Sequence, residues 1–190
     1  MSLELSGESV YSFDESSGVN DDPIEIFCYR PESWKTGDSI AFVFHGMNRN
    51  AQDYRRSWER YADDNNLLII CPEFTDEKYP GSRYYNLGNV TDNRGTLQPQ
   101  DEWLFPAVDR IINDVKEKLN SADSKILMFG HSAGAQMVHR YVLFNQNPQA
   151  DMIIAANAGW YIFSLRHCRY RVGRKSIKRR IFQKCRNSAR

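Results

Sequence analysis

The 190-residue chain sits at the upper edge of one ordinary domain. Its 41% apolar and 13% aromatic content suffices for one buried core and excludes a disordered or collagen-like chain. The net charge of +1 conceals an asymmetry: residues 1–163 hold 14 Lys and Arg against all 24 Asp and Glu, a net of −10, while residues 164–190 hold the other 11 basic residues and no carboxylate.

Residues 1–23 are polar and read as a loose lead-in, with Met1-Ser2-Leu3 as an appended start. Residues 24–29 alternate well enough for a strand, and nearly continuous apolar runs follow at 39–44, 67–71, 125–129 and 152–156. Continuous runs suit strands covered on both faces, as in a parallel sheet. Between them lie three helical stripes. The first is Ala51, Tyr54, Trp58, Tyr61 and Ala62, with Asn50 placed to cap it. The second runs from Leu104 to Leu119 with Pro106 in its first turn, and the third from Ala133 to Phe144, ended by Asn147-Pro148. Strands alternating with helices predict an α/β fold, a three-layer sandwich with a mostly parallel sheet. Residues 72–100 have no period but are rich in Tyr, which points to an ordered loop over a cleft.

No stretch approaches the roughly 20 apolar residues of a membrane span. The longest, Met152 to Phe163, is broken by Asn157 and Gly159. No basic start leads into an apolar block, and the cysteines (Cys28, Cys71, Cys168 and Cys185) lack C-x-x-C spacing, so a cytoplasmic protein with reduced thiols is expected. No His, Asp or Glu cluster has metal spacing, no glycine-rich phosphate loop follows a strand, and no cofactor is implied.

The chemistry centres on Gly130-His131-Ser132-Ala133-Gly134, which follows one strand directly and opens a helix. In that context G-x-S-x-G is a nucleophile elbow: a sharp turn lifts the serine hydroxyl above the sheet, and small neighbours let strand and helix approach. A helix N-terminus beneath it adds free N–H groups and positive potential. Acyl transfer needs two N–H donors for the oxyanion. Ala133 would supply one and Met47, after His45-Gly46, the other, with His45 and Gly46 supporting that loop. Tyr84, Tyr85 and Trp103 are candidate pocket-lining aromatics, although large aromatics also serve as core, and Arg83 is either a carboxylate partner or an exposed loop arginine.

On four strings the chain resembles the poly(3-hydroxybutyrate)-depolymerase-like esterases of the α/β-hydrolase superfamily: His45 to Asn50, Gly81 to Asn89, Gly130 to Gln136 and Ala156 to Tyr161. The resemblance spans roughly residues 24–162. It implies a serine hydrolase acting on a small-molecule carboxylic ester, with Ser132 attacking and water releasing the acyl-enzyme. Such enzymes place an acid and then a histidine on loops after the nucleophile. Here Asp151 is the only downstream carboxylate and precedes a strand, His139 recedes along the helix, and His167 lies among Arg166, Arg169 and Arg171. The triad is incomplete, and impaired turnover is expected.

The organisation is therefore read as a lead-in (1–23), a hydrolase core lacking its last strands (24–163) and a basic tail (164–190). The tail reads as the product of a disrupted reading frame after Tyr161. Two alternatives stay open: a solvated surface segment, or a basic tail on a non-catalytic hydrolase scaffold that binds nucleic acid or anionic membrane.

Overall fold

A computed structural model describes Leu3, residues 6–164 and residues 182–186 of the chain. Its centre is a six-stranded sheet in the order β1 (Gly7–Phe13), β2 (Ile24–Arg30), β4 (Leu68–Pro72), β3 (Ile40–Phe44), β5 (Ile126–His131) and β6 (Met152–Ala156). Strands β4, β3, β5 and β6 pair in parallel, and β2 runs antiparallel to both β1 and β4. A separate antiparallel pair, β7 (Trp160–Ser164) with β8 (Phe182–Arg186), follows.

Every residue of β3 and β4 is buried, which is why both read as unbroken apolar runs. Helix α1 (Ala51–Asn65) packs on the face carrying Ala41, Val43, Ile69 and Cys71. Helices α3 (Leu104–Lys118) and α4 (Ala133–Phe144) cover the other face, where Phe42, Ile70 and Met128 meet Ile112, Met137 and Val138. Each such side chain contributes roughly 1.5–3 kcal/mol on leaving water. The result is the expected three-layer sandwich.

Two local expectations are corrected. The polar opening is not loose throughout, because Gly7–Phe13 forms β1 along the whole of β2. Its only period-two signal is Tyr11 and Phe13 facing the core, diluted by the exposed positions of an edge strand. Long-range polar pairs tie this segment down: Tyr11 Oη donates to Asp114 at 2.9 Å, buried Arg55 pairs with Glu8 at 2.8 Å, and Arg110 pairs with Glu15 at 2.6 Å. Asn50 occupies the N-cap position of α1, yet its amide donates to the Asp53 carboxylate at 2.9 Å and makes no capping bond.

The segment after β4 is held in place. It contains a short helix, α2 (Gly81–Tyr84), and a 3-10 turn at Gln100–Glu102. Arg49 gathers it: its guanidinium donates to the carbonyls of Phe74, Tyr79 (2.9 Å) and Gly81 (3.1 Å) and lies over the Tyr85 ring. Cys28 and Cys71 are buried free thiols; the side chains of Cys168 and Cys185 lie outside the described residues. Among the described residues no helix is long and apolar enough to cross a membrane.

Candidate active site

Ser132 is the single residue between the end of β5 and the start of α4. Its backbone adopts φ 54° and ψ −110°, a conformation that an L-residue occupies only under constraint, at a penalty of roughly 1–3 kcal/mol. The constraint is local and identifiable. Ser132 N–H donates to Ala156 O of β6 at 3.0 Å, and Ser132 O accepts from Gln136 N–H at 3.2 Å. The flanking glycines let the segments cross. A Cβ on Gly130 would lie 2.4 Å from Gly134 O, and one on Gly134 would lie 2.4 Å from Phe44 O. Ser132 itself is half-buried.

The turn after β3 comes up against this strand-to-helix junction. A Cβ on Gly46 would sit 3.7 Å from the Ser132 Cβ. Arg49 N–H closes the turn onto Gly46 O at 3.3 Å, with Arg49 at φ 55°. Met47 at its tip is 74% exposed, whereas Ala133, at the first position of α4, is buried. Helix N-termini leave their first N–H groups without intrahelical partners.

His45 lies fully buried beneath the turn. Its Nε2 accepts from Phe74 N–H at 3.0 Å, so the ring proton sits on Nδ1, which donates to Gly46 O at 3.0 Å. Tyr85 stacks on the imidazole at 4.7 Å and donates its hydroxyl to His45 O at 2.8 Å. Burial holds the imidazole pKa down to about 4 from 6.5. His45 is therefore neutral with both nitrogens engaged, and it does not act as a base.

A stability prediction follows from that shift. Below pH 6.5 the unfolded chain gains a proton on His45 that the native state refuses until about pH 4. The contribution is complete above pH 6.5 and lost as pH falls towards 4, up to roughly 3 kcal/mol. Urea unfolding between pH 8 and 4 should show this slope, and His45→Gln should flatten it; equal slopes in the two chains would refute the assignment. His139, which burial also holds down to about 4, adds to the slope equally in both.

The remaining site candidates are placed as follows. Tyr85 is fully buried and braces His45. Tyr84 is half-buried against the core with Arg83 over its ring, and Arg83 Nε donates to Asn89 at 3.0 Å. Trp103 is buried, its indole donating to Gln98 O at 3.0 Å. Asp151 lies at the opposite end of the sheet from Ser132, its carboxylate accepting from Ile126 N–H at the start of β5. His139 projects from α4 towards Tyr161, the ring centroids 5.3 Å apart. His167 lies outside the described residues. Among the described residues, no imidazole is hydrogen-bonded to Ser132.

Two pairings carried no local sequence signal. The Tyr54 hydroxyl, close to Gly46, bonds His131 Nδ1 at 2.7 Å and so fixes the residue before the serine. Asn86 donates to Gln136 Oε1 at 3.3 Å, joining the long loop to the first turn of α4. Tyr54 belongs to an apolar stripe, and its distance of 77 residues from His131 hides the contact.

No protein-family model and no curated protein sequence matches the chain. Solved structures do. A poly(aspartic acid) hydrolase from Sphingomonas sp. KT-1 is 32% identical, with a TM-score of 0.74 over 82% of this chain and 58% of its own. A poly(3-hydroxybutyrate) depolymerase from Bordetella parapertussis is 31% identical, with a TM-score of 0.78 over 89% of this chain and 58% of its own. A fluorophosphonate-binding serine hydrolase from Staphylococcus aureus, 14% identical with a TM-score of 0.57 over 80% of this chain and 58% of its own, shares the fold alone. The chain thus spans under two-thirds of each of these proteins. It resembles the α/β-hydrolase superfamily and has a fold of that type, with few strands.

Proposed function

We propose that the chain carries the nucleophile half of a serine esterase. Ser132 attacks the carbonyl of a small-molecule carboxylic ester, and the N–H groups of Ala133 and Met47 receive the oxyanion. The observation that carries this reading is the strained Ser132 backbone at a strand-to-helix junction, with the Gly46 turn set against it. The two neighbours above 30% identity, a polyester depolymerase and a poly(aspartic acid) hydrolase, support an acyl-bond substrate.

As the Oγ–acyl bond forms, the hydroxyl proton must leave. His45 and His131 are committed to other partners, and His139 faces Tyr161. With no imidazole among the described residues placed to take it, the proton passes to water, the alkoxide departs, and a second water releases the acid. Without a base and acid among the described residues, acylation and deacylation are both slow, and the remaining acceleration comes from the oxyanion donors.

p-Nitrophenyl acetate tests the proposal. Mass spectrometry should find one acetyl group on the Ser132 peptide and none in Ser132→Ala, with turnover well below the ~1–1000 per second of ordinary enzymes. No adduct would remove Ser132 as nucleophile. Ordinary turnover would show that a histidine completes the site. The alternative of a non-catalytic scaffold with a nucleic-acid or membrane-binding tail depends on residues 164–190, most of which lie outside the described residues, and no observation favours it.

A further inference from the structure

Helix α4 carries a second unusual residue two turns beyond the elbow. Arg140 is 2% exposed, and burial holds its pKa down to about 10. Its Nη1 donates to Gln136 O at 2.8 Å, and its Cζ lies 4.4 Å from the centroid of the Trp160 ring. Its Nη2 has no hydrogen-bond partner, and no carboxylate pairs with Arg140 among the described residues. A buried cation with one carbonyl and one aromatic face is under-compensated, since burial normally demands a paired counter-charge.

Arg140 and Trp160 both line a cavity of about 520 Å³ whose other walls include Leu97, Trp103, Leu143 and Phe144. That volume lies in the range of sites for small organic ligands, which combine apolar walls with a few polar anchoring groups. Ser132 does not line the cavity. Arg140 stands eight positions after Ser132, about 12 Å of helical rise, so the guanidinium is set apart from the serine.

We propose that this cavity is a binding site for a monocarboxylate with an apolar chain, whose carboxylate displaces the Trp160 indole and pairs with Arg140 while the chain lies against Leu97, Leu143 and Phe144. A neutral apolar ligand would fill the same volume and leave the guanidinium uncompensated. The carboxylate supplies two acceptors for a planar donor that now lacks one. The site is independent of Ser132 chemistry and stands or falls separately from the esterase proposal.

Octanoate and 1-octanol, which share a chain and differ in the head group, distinguish the cases by calorimetry at pH 7. Octanoate should bind the full chain more tightly than 1-octanol by roughly tenfold or more. In Arg140→Met that preference should vanish. The variant keeps the length of the side chain and removes a buried charge, so loss of folding is not expected. A second readout does not depend on the variant: in chain labelled with 5-fluorotryptophan, the 19F resonance missing from Trp160→Phe should shift with octanoate, and by more than with 1-octanol. Equal binding of the two ligands, no binding of either, undiminished octanoate binding by Arg140→Met, or an unmoved Trp160 resonance would each overturn the proposal.

Discussion

Gly134→Ala is expected to lower folding stability by roughly 3 kcal/mol, at the upper end for overpacking a tight core. The added methyl would lie 2.4 Å from Phe44 O and 2.6 Å from His45 O. Both obstacles are backbone, so no side chain can swing aside. Relief would require moving the end of β3, where Phe44 is paired with Gly130 of β5, or the His45 turn, which is fastened to Phe74 and Tyr85. Gly95→Ala provides the comparison, because nothing lies within 4 Å of its Cβ position and only its φ of +84° opposes the change. That variant should lose about 1 kcal/mol. Urea midpoints at unchanged slope would measure both. A loss at Gly134 no greater than at Gly95 would mean that α4 and β3 are not pressed together as described.

The second large effect has the opposite sign. Ser132→Gly should raise stability by about 1 kcal/mol, because glycine relieves the strained dihedrals while adding some freedom to the unfolded chain. The same change should abolish acetylation by p-nitrophenyl acetate. Ser132→Ala removes the hydroxyl but keeps the Cβ, so it should lose the adduct without the stability gain. The difference between the two variants isolates backbone strain from side-chain chemistry. If glycine and alanine gave equal stabilities, the φ of 54° would carry no penalty, and the case for a sprung turn would fail.

What could be read along the chain was whatever rests on short-range pattern. Strands β3, β4 and β5 and helix α4 stand within one or two residues of the expected runs, because burial on both faces of a strand writes itself as consecutive apolar residues. The strand-to-helix junction at Ser132 was legible for a similar reason, since Gly130 to Gly134 fall within five residues. Pairings across tens of residues were not. Tyr85 looks like a pocket aromatic until His45, forty positions earlier, is seen beneath it. Asn50 has the right chemistry to cap α1, but the Asp53 carboxylate claims its amide. Arg140 sits unremarked in an apolar stripe, and only the packed structure shows that no carboxylate among the described residues pairs with it. Strand β1 went unread because an edge strand needs only half of its residues to face inwards.

The two flanks of the main sheet differ. Along β1 the outward positions are Glu8, Val10 and Ser12, and the charge at Glu8 discourages another chain from docking. Along β6, Met152–Ala156 carries no charge, with Met152 59% and Ile154 41% exposed. An uncharged outer strand of this kind is where a further strand would pair, and pairing there with a second copy would join like to like about a two-fold axis.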